Sequence, residues 1–313
     1  FDIDGLPITE SEKSIHLPSD EDFSSQNPGV MHACGHDGHL TIGLGLARRL
    51  AASKSSLRGQ VHLFFQPAEE VAGGGVLFAQ LPQMKEVDSF LTLHLGITSE
   101  RKLVCNATWI AAQIFDVTIT GRASHAGNAP QEGRNALLAA CQAVQALYAI
   151  PRHSAGMSRV NVGAFHAENP NNVVADHVTF RFEVRGGENT ICDYMAEEAR
   201  RILKGAAEMN GCSAEITPVA HFENHPNNTN LASKMREVAQ SLGIPKEAIV
   251  DSYHVPASED ATFMTKVVHE NGGEATYMVL GCPVRGGHHN STFDFDEDLL
   301  GWGVELCFNA ITQ

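Results

Sequence analysis

Positive charge is scarce in this chain of 313 residues: 22 Lys and Arg stand against 37 Asp and Glu, a formal charge of −15 with His neutral. Such a surface repels nucleic acid and anionic membranes, so neither is expected as a partner. No apolar run approaches the roughly 20 residues that a membrane-spanning helix needs, and no basic-then-apolar leader opens the sequence, so a cytoplasmic location is expected. Internal repeats and low-complexity tracts are also absent. The seven cysteines (Cys34, Cys105, Cys141, Cys192, Cys212, Cys282, Cys307) are odd in number and widely scattered. They do not make the dense, even framework of a small secreted domain, and they read as thiols. The opening "FDIDGLPI" reads as the end of a buried strand running into a Pro turn, so further sequence is expected upstream.

The length favours two domains. Residues 11–30, "SEKSIHLPSDEDFSSQNPGV", are polar and rich in turn formers, which predicts a loop over the surface or over a site. From Asp37, Leu40, Leu44, Ala47 and Leu50 recur at helical spacing. "QVHLFF" (60–65) and "VDSFLTLHLG" (87–96) are predicted strands. Helices alternating with strands predict an α/β domain with a largely parallel sheet flanked by helices, whose ligand sites lie beyond the carboxyl ends of the strands. Residues 112–221 follow a different order, β-α-β-β-α-β, that of a ferredoxin-like α+β sandwich. The helix "TNLASKMREVAQSLG", the strand "ATYMVLG" and a final helix come after it. The small domain (111–222) is therefore expected as an insertion into a larger one (1–110 and 223–313).

"VMHACGHDGHL" (30–40) puts Cys34, His36 and His39 into a few positions at the start of a helix. There, orphan amides and the macrodipole favour a thiolate, and a thiolate with a neutral imidazole suits a transition-metal dication. Taken alone the motif is also compatible with a packed Cys and a satisfied core His. Glu69 and Glu70 in "QPAEE" are adjacent carboxylates that repel unless a cation or a shared proton lies between them; on a solvated loop they need neither. His94 ends a predicted strand, where functional groups collect, although a core role is open to it. "GGHHNSTFDFDE" (286–297) adds His288 and His289 on a glycine-rich turn. Together these loop positions supply the donor chemistry for two metal ions.

"MHACGHDGH", "FFQPAEE", "LHLG", "ASHAG", "NNVV", "FEVRG", "SED" and "HHNSTFDFDE", in this order and at these intervals, resemble the M20-type metal-dependent amidohydrolases of the aminoacylase and carboxypeptidase-G-like group. The branch most resembled hydrolyses p-aminobenzoyl-glutamate and indole-acetyl amino acids. The resemblance spans essentially the whole chain and leaves out the N-terminal segment of the family's catalytic domain. It implies that Cys34, His36, Glu70, His94 and His289 hold two divalent metal ions per subunit, Mn²⁺ in the nearest relatives, with Zn²⁺ the alternative that a thiolate favours. His289 is preferred to His288 because it stands eight residues before Glu297, as in the family's terminal motif. Glu69 matches the general base and Asp4 a supporting carboxylate. Asp37 is expected to orient a ligand imidazole or to cap the helix. In the inserted lid or dimerisation domain, His125 matches the residue that polarises the scissile carbonyl, and Asn172 and Arg185 match substrate-binding positions. Arg159 in "SRVNVG" is added for an acidic substrate, because guanidinium groups suit carboxylate capture.

The expected function is metal-dependent hydrolysis of the amide bond of an N-acyl, N-aroyl or indole-acetyl amino acid with an acidic side chain. The expected assembly is a homodimer through the inserted domain, with or without a related B subunit. The alternatives are a general N-acyl-amino-acid deacylase or dipeptidase, a non-catalytic metal-binding homologue, and a cysteine hydrolase using Cys34 and His36.

Overall fold

Apolar residues three and four apart fold residues 36–52 into a long helix, α1 (His36–Ala52), which buries Ile42, Leu46 and Leu50. The computed structural model describes residues 1–12 and 16–313. Within the polar loop that precedes α1, a single helical turn, Leu17–Asp20, interrupts the expected irregular course, while residues 13–15 lie outside the described residues. After α1 the strand expected at residues 60–65 does not form. Residues 61–65 form no strand ladder, and this segment is tied by one bridge between Asp2 and Gln66, with Gln66 N donating to Phe1 O at 2.7 Å. An apolar run makes a strand only where neighbouring backbone supplies the hydrogen bonds. A turn around Glu69 then leads into the short helix α2 (Gly74–Phe78), the strand β1 (Ser89–Leu95) and the two-residue β2 (Leu103–Val104).

Trp109–Asn224 forms one compact unit, and Phe1–Thr108 with His225–Gln313 forms the other. The first of these runs β3 (Ala111–Thr120), α3 (Ala136–Tyr148), β4 (Ser158–His166), β5 (His177–Gly186), α4 (Asn189–Met209) and β6 (Ser213–Phe222). Its sheet has the order β4-β5-β3-β6, with antiparallel neighbours throughout. Alternation decides which face is covered: Val178, Phe180, Phe182 and Val184 of β5 are buried, and Arg181 between them is exposed. Against the apolar face pack Ala139, Ala143 and Leu147 of α3 and Met195, Ala199 and Leu203 of α4. Asn135 caps α3 by accepting from Leu138 N at 2.9 Å.

The larger unit continues with α5 (Thr229–Ser241), β7 (Ile249–Val250), α6 (Ala261–Glu270), β8 (Glu274–Leu280) and α7 (Leu300–Thr312). Its sheet order is β1-β8-β2-β7. β8 is parallel to β1, β2 is parallel to β7, and among the described residues only the two-residue pairing of β8 with β2 is antiparallel, so the sheet is largely parallel with one antiparallel neighbour pair. The architecture is mixed α/β. Ile42 and Leu46 of α1, Leu93 and Leu95 of β1, Met278 and Leu280 of β8, Met235 of α5 and Leu306 of α7 share one core. Since His94 pairs with Val279 and Leu95 with Leu280, β1 and β8 end at the same edge of the sheet. No helix among the described residues is long and apolar enough to cross a membrane.

Candidate metal centre

At that edge the N-terminus of α1 meets the end of β1. Gly35, with φ 89°, is the cap, a left-handed conformation that glycine adopts without a Cβ penalty and that starts the helix between Cys34 and His36. Cys34 Sγ lies 3.6 Å from His94 Nε2. His94 donates from Nδ1 to Leu95 O at 2.7 Å, which leaves Nε2 as the lone-pair nitrogen facing the sulfur. Burial, reinforced by His39 and His36, holds the His94 ring well below its usual pKa, so it is neutral.

His36 sits among acids, with Nε2 at 3.1 Å from Asp2 Oδ2 and Nδ1 at 3.3 Å from Asp4 Oδ1. Burial opposes its protonation, yet the nearby carboxylates of Asp4 and Asp2 raise it to about 9. His39, one turn along α1, places Nδ1 2.5 Å from Asp2 Oδ1, and its Nε2 accepts from Leu95 N at 2.9 Å. That acceptance fixes the tautomer, so Nδ1–H donates to Asp2. Although burial alone raises a carboxyl, His39 and His36 hold Asp2 well below the carboxylate range. The carboxylates around His36 are thus Asp2 and Asp4, not Asp37. Asp37 follows His36 directly on the helix; it supplies no cap hydrogen bond, and its Oδ1 is buried without a hydrogen-bond partner among the described residues.

The two glutamates ride on a short 3₁₀ turn, Glu69–Val71, bracketed by Ala68 (φ 61°) and Ala72 (φ 54°) in the left-handed region. Glu69 is 8% exposed. Burial and then the charges of Glu259, Asp2 and Asp260 push its carboxyl well above the ordinary range. Glu70 N donates to Asp4 Oδ2 at 3.1 Å, and Glu70 Oε1 lies 3.3 Å from His289 Nε2. His289 itself has φ 59°, in the turn between the paired segments Val284–Arg285 and Asp294–Phe295, and its N donates to Ala33 O at 2.7 Å. The neighbouring His288 ring packs against Phe293, 5.1 Å between centroids, and against His94, 5.8 Å.

Four donor groups assemble here with ligand atoms within 4.8 Å of one another: Cys34, His36 and His94; Cys34, Glu70 and His289; His36, Glu69 and Glu70; and Asp2, His36 and His39. All five residues expected to hold metal are therefore gathered. Cys34 belongs to the first two groups. The helix start does not by itself make a thiolate: burial and then Glu70, Glu69 and Asp2 push the Cys34 thiol up. Dications reverse that effect, because a coordinated thiol is deprotonated. Asp2 Oδ2, Asp4 Oδ1, His36 Nε2 and Glu70 Oε1 are buried and complete no hydrogen bond among the described residues. Thiol, imidazole and carboxylate donors with orphaned atoms fit divalent cations.

The smaller unit holds the other expected residues in two pairs. Ala126 N donates to Asn172 O at 2.9 Å and His125 bridges to Val173, which brings the His125 loop and the Asn172 turn together. His125 Nδ1 accepts from Gly127 N at 3.2 Å and Asn128 N at 3.1 Å. With that nitrogen occupied as an acceptor, Nε2–H of the ring is a donor. Arg159 lies directly opposite Arg185 across β4 and β5, and Arg185 makes a bidentate pair with Glu183, 2.9 Å for each bond.

The Peptidase family M20/M25/M40 model matches residues 1–313. This chain belongs to that family, and with it to the hydrolases. It is 43% identical over 307 residues to the indole-3-acetyl-aspartic acid hydrolase of Enterobacter agglomerans, a match covering 97% of this chain and 70% of that one. To one subunit of the p-aminobenzoyl-glutamate hydrolase of Escherichia coli (strain K12) it is 40% identical over 308 residues, again 97% of this chain and 70% of the relative. The crystal structure of an aminobenzoyl-glutamate utilization protein from Klebsiella pneumoniae superposes with a TM-score of 0.75 at 36% identity, covering 87% of this chain and 66% of that one.

Asp2, Glu259 and Asp260 had no assigned part in this centre from the sequence, and His39 stood in its motif without a role. One signal was present: His36 and His39 stand three apart, the spacing that puts side chains on one helix face. Asp2 and Asp4, two apart in an extended segment, likewise share a side.

Proposed function

We propose that the chain is a metal-dependent amidohydrolase that cleaves the amide bond of N-aroyl or indole-acetyl derivatives of acidic amino acids. The observation that carries this reading is the pair of donor triads sharing Cys34, beside a buried glutamate, Glu69, that those two triads do not use. Cys34, His36, Glu70, His94 and His289 hold two divalent ions, Mn²⁺ first, with Zn²⁺ the alternative that a thiolate favours. When bound, such ions polarise a carbonyl and acidify water. Glu69 takes a proton from the attacking water and returns it to the nitrogen of the leaving amine as the C–N bond breaks. His125 donates from Nε2 to the carbonyl oxygen as charge develops there, a contribution typically worth about 2.7–4 kcal/mol.

A cysteine-nucleophile reading is weaker on geometry: Cys34 Sγ meets His94, while His36 is engaged by Asp2 and Asp4. Asn172 and Arg185 bind the substrate, and Arg159 beside Arg185 adds a second cation for a side-chain carboxylate. The names of the relatives, hydrolases of an acyl-aspartate and an acyl-glutamate, support the acidic preference. The smaller unit with its β-α-β-β-α-β order serves as the lid and dimerisation domain. A related B subunit is a further partner, a reading supported by the naming of one relative for a single subunit of its enzyme.

The test is kcat/KM for N-benzoyl-glutamate, N-benzoyl-aspartate and N-benzoyl-alanine in the wild type, Arg159→Ala and Arg185→Ala. Preference for the acidic pair, weakened in Arg159→Ala, supports the reading. Equal or better use of the alanine compound overturns the acidic specificity and leaves a general aminoacylase.

A further inference from the structure

Behind the turn that carries Glu69 and Glu70 lies a second acidic group, Glu69, Glu259 and Asp260, with oxygens within 4.8 Å of one another. Donors on the protein satisfy its two rear members. Glu259 accepts from Ala261 N at 3.0 Å and from Tyr277 Oη at 2.7 Å. Asp260, fully buried, accepts from Gln66 Nε2 at 2.5 Å on one oxygen and from Gly75 N at 2.8 Å on the other. Carboxylates saturated in this way act as structural acceptors rather than as an open cation site.

What Asp260 grips is informative. Gln66 stands immediately before Pro67-Ala68, and Gly75 lies in the helix on the far side of the turn. The enclosed segment contains Ala68 (φ 61°) and Ala72 (φ 54°), two residues with a Cβ in the left-handed region. Such backbone persists only where the surroundings over-determine it. Within the segment, Ala72 N returns to Glu69 O at 2.9 Å and Gly73 N to Ala68 O at 2.9 Å. The closure is tight: a Cβ on Gly75 would lie 2.1 Å from Asp260 O, and one on Gly74 would lie 1.8 Å from Pro67 O. Asp260 therefore joins both ends of a strained turn through one side chain 185 and 194 residues distant in sequence.

We propose that Asp260 is a positioning residue that clamps Gln66 and Gly75 and so holds the strained turn between Ala68 and Ala72 in the conformation that aims Glu69 and Glu70 at the metal centre. This rests on the reading of Glu69 as general base and Glu70 as ligand. Asp260→Ala removes both acceptors. Asp260→Asn keeps an oxygen for Gly75 N and presents an N–H that the Gln66 amide meets by turning its own oxygen toward it, so the conservative variant retains both bonds.

The experiment measures steady-state kinetics at saturating metal, together with amide hydrogen exchange of the 66–75 segment, in Asp260→Ala and Asp260→Asn. Assays run well below each variant's melting temperature. The expected result is a fall in kcat of at least tenfold in Asp260→Ala with KM changed less than threefold, and faster exchange at Gly75. Asp260→Asn keeps kcat within about threefold of wild type and retains protection. A kcat in Asp260→Ala within threefold of wild type, or an Asp260→Asn no better than Asp260→Ala, overturns the clamp. If Asp260→Ala does not fold, Gln66→Leu, which removes one bond and leaves the Gly75 contact, must show the same kcat loss, and wild-type kcat there overturns it equally. Glu69→Gln, run alongside, separates the two failures. If it stays active, the base assignment is wrong whatever Asp260 does; if it is inactive while Asp260→Ala keeps full kcat, the clamp alone is wrong.

Discussion

Cys34 and His94 stand 60 residues apart in the chain, yet Cys34 Sγ lies 3.6 Å from His94 Nε2. Two different pieces of local structure deliver them, the left-handed Gly35 cap of α1 and the carboxyl end of β1. The sulfur faces a neutral imidazole nitrogen on one side and, on the other, carboxylates that push the thiol up. A divalent cation resolves this arrangement by supplying the charge that stabilises a thiolate.

Adjacent glutamates separate base from ligand. Glu69→Gln is expected to keep metal content at the wild-type level while kcat falls at least a hundredfold, within the roughly 10²–10⁴-fold range for removing a general base. Glu70→Gln is expected to lose metal affinity. Metal analysis and kinetics on both variants check the pair, and near-normal kcat in Glu69→Gln would place the proton shuttle elsewhere.

Asp2 bears on two histidines at once, accepting from His39 and lying 3.1 Å from His36 Nε2. Replacing such an outer carboxylate typically weakens metal binding about 10–100-fold. Asp2→Asn is expected to fall in that range by calorimetric metal titration, with kcat at saturating metal less affected than affinity. Unchanged affinity would show that the His36 and His39 rings are held by packing alone.

Glu259 makes stability depend on pH. Burial, then the charges of Asp2 and Asp260, raise its carboxyl from 4.5 to about 8. The folded state thus binds more protons than the unfolded state between those values, so this group's contribution is fully present below about 4.5 and lost as pH rises through about 8. Gln at this position keeps an acceptor for Ala261 N and a partner for Tyr277 without the charge. In chelator-treated protein, Tm of Glu259→Gln minus Tm of wild type is expected to grow steadily from pH 4.5 to pH 8. A difference that is flat or shrinks with pH would contradict the assignment.

Local periodicity and short motifs carried much of this. α1, the alternating strands of the smaller unit and the order of its helices follow from spacing that a few neighbouring residues set. The donor types of the metal centre were legible because Cys, His and Glu sit in compact motifs at element ends. What the sequence hid depends on distant partners. The segment 61–65 has strand-like residues but no ladder, and β2 brings an antiparallel pairing into the sheet through two residues paired to β8. Asp260 looked like part of a short acidic motif, and its grip on Gln66 and Gly75 is visible only once chain segments nearly 200 residues apart are adjacent. Asp37, next to His36 in sequence, was the natural candidate to orient that ring. Successive helix residues diverge, and the part went to Asp2 and Asp4.

Metal stoichiometry in wild type, Cys34→Ala and His289→Ala tests the central claim most directly. Apo-protein is titrated with Mn²⁺ and, separately, with Zn²⁺, and bound metal is counted per chain. Two ions in the wild type are expected, with fewer in both variants and a parallel loss of the metal-dependent rise in Tm, since a ligand that binds only the native state stabilises it. Wild-type stoichiometry in both variants would contradict the account.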